Sequence, residues 1–290
     1  MKAIDLSLYQ TVENWQSVLR GGVRFAVLKA SQGRYLDGSG APFADPKFAR
    51  YARDANDAGM PLGFYHFLCA ADPEMAQEEA AFFLKVIAPF QKSALYVFLD
   101  CENYNNQNLL KQSRAQLTNT CLAFLRAVGR AGLRPALYTN PDHLVNYLDI
   151  SRIPYPLWVA KYGGSRPQYR DMLLWQYGVG RVEGIREATD LNVCYIPEGK
   201  LALMRLFGLG YMNTPAYWID RLDTIRYLDT LAVRCAASFA RAGEPAKSVP
   251  EAIARLTAGG FINTPAYWQA QTTRERYIGE LLCNLGGYRL

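Results

Sequence analysis

From residue 2 to about residue 195 the chain alternates short apolar runs with longer segments of helical periodicity. KAIDLSL opens it, a helical VENWQSVLRGG follows, and RFAVLKAS at 24–31 is the second apolar run. DPKFARYARDANDAG predicts a helix that stops at Gly59, PLGFYHFL at 61–68 the next strand, and PEMAQEEAAFFLKVIA an acidic-first helix. ALYVFLDCEN at 94–103 is a fourth strand, and QSRAQLTNTCLAFLRAVGRAG is the longest helix, ended by Gly132. RPALYTN, YPLWVAKYG, DMLLWQYG and EATDLNVCYI bring the strand candidates to eight. Strand-then-helix order argues for a parallel sheet. Eight units in this length predict an α/β fold, a (β/α)8-type barrel, complete or distorted. The competitor is an open doubly wound sheet, but no Gly-x-Gly-x-x-Gly opens a first helix.

Past residue 200 the pattern changes. YMNTPAYW (211–218) recurs as FINTPAYW (261–268), so that Asn213 returns 50 residues later as Asn263. The match extends to Arg205-Leu206 and Arg255-Leu256, to Gly210 and Gly260, and to Arg226-Tyr227 and Arg276-Tyr277. Thr214 is expected to cap a helix whose first residue is Pro215, and Thr264-Pro265 repeats the signal. AGEPAKSVPEA separates the copies. Two domains are therefore expected: 1–198 for the barrel, and 199–290 for a small all-α part made of two tandem helical repeats, about 201–243 and 249–290. Tyr217-Trp218 and Tyr267-Trp268 read either as glycan or peptide contacts or, the preferred reading, as the aromatic core of each small unit. Duplication favours binding, since two weak sites gain effective concentration on a repetitive polymer. Dimerisation through exposed helix faces is the alternative use.

Half of the 290 residues are hydrophobic and 13% aromatic, enough for a full core. No run of about 18 apolar residues occurs, so membrane insertion is not expected. MKAIDLSLYQ has neither an apolar stretch nor a small-residue cleavage site, which predicts synthesis in a cytoplasm without a signal peptide. None of the six cysteines forms a Cys-x-x-Cys pair, so they read as reduced core thiols rather than zinc ligands. The net charge is +6, and from Lys200 onward 11 Lys/Arg face 7 Asp/Glu. This mild excess, without any Lys/Arg block, suits an anionic partner such as a cell wall or ordinary solubility, and no nucleic acid.

In a barrel the chemistry sits at the C-terminal ends of the strands. Asp5 ends the first and Lys29 the second. Tyr65 and His66 lie on the third, Asp100 and Glu102 on the fourth, and Tyr138 on the fifth. Lys161 ends the sixth, Trp175 and Gln176 the seventh, and Asp190 lies on the eighth. The first and eighth strands of a closed barrel are neighbours, so four carboxylates can converge on one mouth. Asp100 and Glu102, two apart, share a face. Like charges that close raise one pKa. Residue chemistry alone leaves three readings: an acid/base pair, an oxygen-ligand cation site, or a solvated strand end. Tyr65, Tyr138, Trp175 and Tyr162 read either as binding surfaces or as core, Trp15 and Trp158 as packing, and His66 first as a hydrogen-bonded structural residue. Lys29 either pairs with Asp5 or touches substrate.

Five of these fragments, AIDLSLYQTVENW, VLKASQG, GFYHF, FLDCEN and TDLNV, resemble in their order the motifs of glycoside hydrolase family 25, the lysozymes also called N-acetylmuramidases. One departure is Thr11, where many members carry Gly. The resemblance implies a catalytic barrel that needs no cofactor or metal and cuts the β-1,4 bond after N-acetylmuramic acid in peptidoglycan, with retention. It makes Glu102 the general acid and Asp100 its companion. Asp100 or Asp190 would orient the substrate's own N-acetyl oxygen for attack, and Asp5 would complete the acidic floor. Lys29, Tyr65, His66, Tyr138, Tyr162 and Trp175 become substrate-binding candidates. The repeats are similar to helical modules appended to cell-wall hydrolases of Gram-positive bacteria and their phages. The whole reads as a phage-type endolysin that acts on the wall after release. The alternative is a non-catalytic wall-binding protein on an inactive barrel.

Overall fold

The computed structural model describes residues 1–34, 39–102 and 107–290. β1 (Lys2–Leu6) pairs in parallel with β2 (Val23–Gln32), on whose end the two-residue β3 (Phe43–Ala44) folds back antiparallel. Parallel pairing continues through β4 (Leu62–Phe67), β5 (Ala94–Asp100), β6 (Pro135–Thr139), β7 (Leu157–Ala160) and β8 (Met172–Gly180). β9 (Thr189–Cys194) is antiparallel to both β8 and β1 and closes the ring. The fold is thus an irregular eight-stranded α/β barrel with β3 as an addition. The parallel order expected for all eight strands fails at the last one. Residues 181–188 join β8 to β9, and a parallel crossover needs about a dozen residues or more, so this short link forces a reversal.

Helices α1 (Trp15–Arg20), α2 (Phe48–Asp57), α3 (Pro73–Ile87), α4 (Gln107–Leu110) and α5 (Arg114–Arg130) alternate with these strands. Their starts follow from local chemistry. The Asn14 side chain accepts from the Ser17 amide, and that of Asp72 from the Met75 amide with Pro73 at the first helical position. Ser113 and Gln116 form a reciprocal capping box. Between β6 and β7 the chain instead makes one π-helical turn, His143–Tyr147, and a 3-10 turn, Ile150–Arg152.

Inside the barrel, alternate residues of each strand meet. A side chain at Gly63 on β4 would collide with the rings of Phe25 and Phe98, 2.9 Å from its Cβ position, so glycine leaves room for both rings. Trp158 fills the next layer, with ring centroids 5.2 Å from Phe98, 6.2 Å from Tyr65 and 4.4 Å from Tyr138. This aromatic plug is the floor beneath the mouth.

A second compact unit comprises residues 197–290 with the short segment 56–61. It holds the same three-helix order twice: α6 (Glu198–Gly208), α7 (Pro215–Ile219) and α8 (Leu228–Ser238), then α9 (Val249–Ala258), α10 (Pro265–Gln271) and α11 (Ile278–Gly286). Thr214 and Thr264 hold the position before the proline with matching backbones (φ −129° in both), yet neither side chain makes the expected capping bond. Trp218 and Trp268 are buried in their units, whereas Tyr217 and Tyr267 are half-buried, so only the tryptophan of each pair is core. All six cysteines are free thiols, five of them buried. Among the described residues no helix is long and apolar enough to cross a membrane.

Candidate active site

Asp5 stands at the end of β1, and its carboxylate is buried. Its Oδ2 accepts from Gln176 Nε2 at 3.0 Å and from Asn192 Nδ2 at 2.7 Å. The amide oxygen of Asn192 in turn accepts from the Trp158 indole at 2.7 Å, and that of Gln176 from the Tyr138 hydroxyl at 3.0 Å. The aromatic floor thus fixes the two amides, and the amides fix Asp5. Asp190 is the Cα partner of Asp5 across the β1–β9 pair. It lies near the beginning of β9. Because β9 runs antiparallel, that beginning is at the same mouth as the C-terminal ends of the other strands. Its Oδ1 accepts from the Tyr162 hydroxyl at 2.8 Å.

Asp100 closes β5 facing inward, buried, with Oδ1 lacking a hydrogen-bond partner among the described residues. Glu102 follows two residues on, half-buried, and Asn103, the last residue of that motif, lies outside the described residues. Lys29 sits across the mouth on β2. Its ammonium donates to Gln32 Oε1 at 2.8 Å and lies 5.0 Å from the centroid of the Phe67 ring. Among the described residues it forms no ion pair, so the expected Lys29–Asp5 pairing is absent. The acids that act on its charge are Asp100, Asp45 and Glu102.

These groups hold one another's protons. Burial, then the charge of Asp190, pushes Asp5 up to about 8, against the two amide donors that favour its ionised form. Burial and then Glu102 push Asp100 well above the usual carboxylate range. Glu102 is raised by burial; Lys29 pulls it back down and Asp190 adds to the rise. Asp190 is raised by burial and restrained by the Tyr162 hydroxyl. Lys29 itself is lowered by burial, with Asp100 the largest opposing influence. The mouth can therefore carry carboxylic acid and carboxylate side by side at neutral pH.

The sequence-predicted set divides by face. Asp5, Lys29, Tyr65, Asp100, Glu102, Tyr138, Tyr162 and Asp190 come to the mouth or its floor. Tyr162 is exposed at the rim, and Tyr138 is nearly buried. His66 does not join them. Adjacent to Tyr65, it points to the opposite side of β4 and is fully buried, stacked on Phe124 at 5.0 Å. There Nδ1 is 2.8 Å from the Ser31 hydroxyl and Nε2 is 2.9 Å from Glu79 Oε2. A side chain sealed behind the sheet cannot contact a substrate in the mouth, so its place among the binding candidates is withdrawn. Trp175 alternates with Gln176 and faces away from Asp5, its indole donating to the Lys161 carbonyl at 2.9 Å.

Two contributors, Asn192 and Asp45, were not singled out from sequence, and Gln176, placed there at the end of the seventh strand, was given no role. Gln176 and Asn192 clamp Asp5, and the signal was available for Asn192, two residues from Asp190 and so on its face. Asp45 is buried beyond β3, accepting from the amides of Leu8 at 2.7 Å and Lys47 at 2.8 Å. It pins the chain that leaves β1, and no motif marks it. Among the described residues no group of three or more His, Cys, Asp or Glu side chains is arranged to hold a metal ion.

An α/β barrel whose mouth gathers carboxylates over aromatic rings is a framework of glycoside-cleaving enzymes. Residues 4–185 match the glycosyl hydrolases family 25, and the chain belongs to that family. It is 30% identical over 195 residues to the autolytic lysozyme of Clostridium acetobutylicum, covering 66% of this chain but 55% of that protein. The chain thus spans about half the length of this relative. It is 33% identical over 178 residues to the lysozyme of Streptococcus phage Cp-9, covering 57% and 48% of the two chains. Among solved structures, the CTP1L endolysin aligns with a TM-score of 0.57 at 25% identity, over 77% of this chain and 79% of that one. The catalytic domain of endolysin ply40 from bacteriophage P40 of Listeria monocytogenes, 24% identical with a TM-score of 0.56 over 71% and 97%, shares the fold.

Proposed function

We propose that this chain is a peptidoglycan hydrolase, a 1,4-β-N-acetylmuramidase that cuts after N-acetylmuramic acid with retention. The observation that carries the reading is the Asp100–Glu102 pair at the end of β5, where the Glu102 charge acts on Asp100 while Lys29 and Asp190 pull the Glu102 proton in opposite directions. Glu102 delivers its proton to the glycosidic oxygen as the bond from that oxygen to the anomeric carbon breaks. The carbonyl oxygen of the substrate's own N-acetyl group bonds to that carbon from the opposite face, giving a cyclic oxazolinium. Asp100, inside the barrel beside Glu102, orients the acetamide and balances its developing positive charge, with Asp190 and Asp5 completing the acidic floor. Water then attacks the anomeric carbon, Glu102 takes its proton, and the ring reopens. Tyr65, Tyr138 and Tyr162 hold the sugar rings, and Lys29 keeps the acids from all becoming neutral.

In this reading the barrel, residues 1–198, is the catalytic part, and residues 199–290 anchor it to the wall of a Gram-positive-type host in the manner of a phage endolysin. Product analysis tests the activity. Purified Gram-positive peptidoglycan is digested with the wild type and with Glu102→Gln, and the products are reduced with borohydride. New reduced muramic acid ends from the wild type alone are expected. New glucosamine ends would overturn the bond assignment, and no new ends from the wild type would leave a non-catalytic wall binder.

A further inference from the structure

The two C-terminal repeats meet through equivalent residues in exchanged roles. Tyr217 and Tyr267 hold one position of the repeat, Tyr227 and Tyr277 another. Tyr217 packs edge-to-face on Tyr277, centroids 5.1 Å apart at 81°, and Tyr227 on Tyr267, 5.2 Å apart at 82°. Such reciprocity is the rule of a two-fold interface. The tandem repeat is therefore a two-fold pair folded from one chain, with four half-buried tyrosines at its axis.

Charge follows the same symmetry. Arg226 and Arg276, again equivalent, lie 4.6 Å and 4.9 Å over the rings of Tyr227 and Tyr277. Both are exposed, and among the described residues neither guanidinium has an ion pair or hydrogen bond. A guanidinium stacked on a ring has its plane fixed, and its N–H fork stays free for an outside acceptor. The nearby Arg221 also covers a ring, 3.5 Å from the centroid of Tyr217, but it is paired with Glu275 at 3.6 Å. Tyr227 holds a left-handed backbone (φ 69°) where Tyr277 does not (φ −112°). That conformation is costly for a bulky residue, and it is retained at the contact with Tyr267.

We infer that these four tyrosines with Arg226 and Arg276 form a single composite binding site on the pseudo-two-fold axis for an anionic saccharide. Carboxylate or phosphate groups sit in the two guanidinium forks, and sugar C–H groups lie against the tyrosine ring surfaces that the arginines leave uncovered. The repeats then supply one shared site, in place of the two independent weak sites that duplication alone suggests. The inference rests on the wall-directed reading above. Its anionic groups come from the carboxylates of the peptide-bearing glycan or the phosphates of a secondary wall polymer.

The test is co-sedimentation of the full chain, carrying Glu102→Gln so that walls stay intact, with purified Gram-positive sacculi before and after hydrofluoric acid removes phosphodiester-linked polymers. Arg226→Gln and Arg276→Gln, both surface changes, are each expected to weaken binding about tenfold, with melting temperature unchanged. The double variant should weaken binding by roughly the product of the two single effects at unchanged capacity, because each fork holds its own anionic group of one bound ligand. Retained binding after extraction supports carboxylate recognition, and its loss supports phosphate recognition. Single variants that each keep wild-type affinity at half the capacity would mean two independent sites and overturn the inference. Parent binding that neither variant alters would overturn the site alone. A parent chain that does not sediment would overturn the wall-directed reading with it.

Discussion

Asp5 and Asp190 oppose each other directly across the antiparallel β1–β9 pair, though 185 positions separate them in the chain. Like charges so placed repel. Each carboxylate is held by its own donors, Gln176 and Asn192 for one and Tyr162 for the other. The repulsion that remains is useful. The Asp190 charge raises the pKa of Asp5 and of Glu102. Replacing Asp190 with Asn should let Glu102 lose its proton at lower pH. The alkaline limb of the kcat/KM profile should then move down, with activity at pH 8 falling more than at pH 5. A profile whose limbs stay in place, whatever its height, would count against an electrostatic role for Asp190.

Removing Glu102 outright has a different signature. General acid catalysis contributes about 100- to 10,000-fold. Glu102→Gln should reduce kcat by that order while wall binding persists, as read by turbidity loss beside co-sedimentation. Loss of both together would point to damage of the mouth rather than loss of the proton donor.

Asp5 links the site to stability. Its folded pKa, about 8, lies far above an unfolded aspartate near 3.8. Between those values the folded state binds the extra proton, so its relative stability falls as pH rises through that window. Asp5→Asn removes the ionisation and keeps an acceptor for Gln176 and Asn192. It should stabilise the protein by about 1–3 kcal/mol at pH 8 and by little at pH 4, while costing activity. Denaturant midpoints at the two pH values check this. An equal change at both would mean that Asp5 is not held protonated.

Much of this arrangement could be read from residue patterns, and the failures have physical reasons. Strand-helix alternation was enough for the barrel and for placing Asp100 at the end of its strand. Period-two alternation also places Tyr65 and His66 on opposite faces of β4, so His66 could have been excluded beforehand. The short 181–188 link likewise contained the reversal of β9. The Tyr162–Asp190 bond was not legible, because it depends on the path of an irregular segment after β7. Neither was Asp45, whose partners are backbone amides that carry no sequence signal.

His66 therefore provides a stability prediction. Its ring joins the Ser31 hydroxyl to the Glu79 carboxyl, which also accepts from the Cys69 amide at 3.1 Å. Among the described residues, His66→Ala would leave that buried carboxyl without a side-chain donor, and it would open a void beside Phe124. A loss of about 3 kcal/mol or more is expected, seen as a lower denaturant midpoint. KM for soluble peptidoglycan fragments should stay unchanged in the folded fraction. A selective rise in KM with normal stability would return His66 to the substrate site.

Lys29 should act opposite to Asp190. Its ammonium lowers the Glu102 pKa, and it also lowers that of Asp100. It faces the acids without pairing to any of them among the described residues, so its charge is spread over the cluster. Lys29→Gln removes the charge and keeps a donor for Gln32. Glu102 should then hold its proton to higher pH, moving the alkaline limb of the rate profile upward. Asp100 also becomes harder to ionise, so the maximal rate should fall even as the profile broadens toward base. With Asp190→Asn the limb moves the other way, and the double variant should bring it back toward its original position if both act through Glu102. A double variant whose limb sits with either single one would show that the two charges reach different acids.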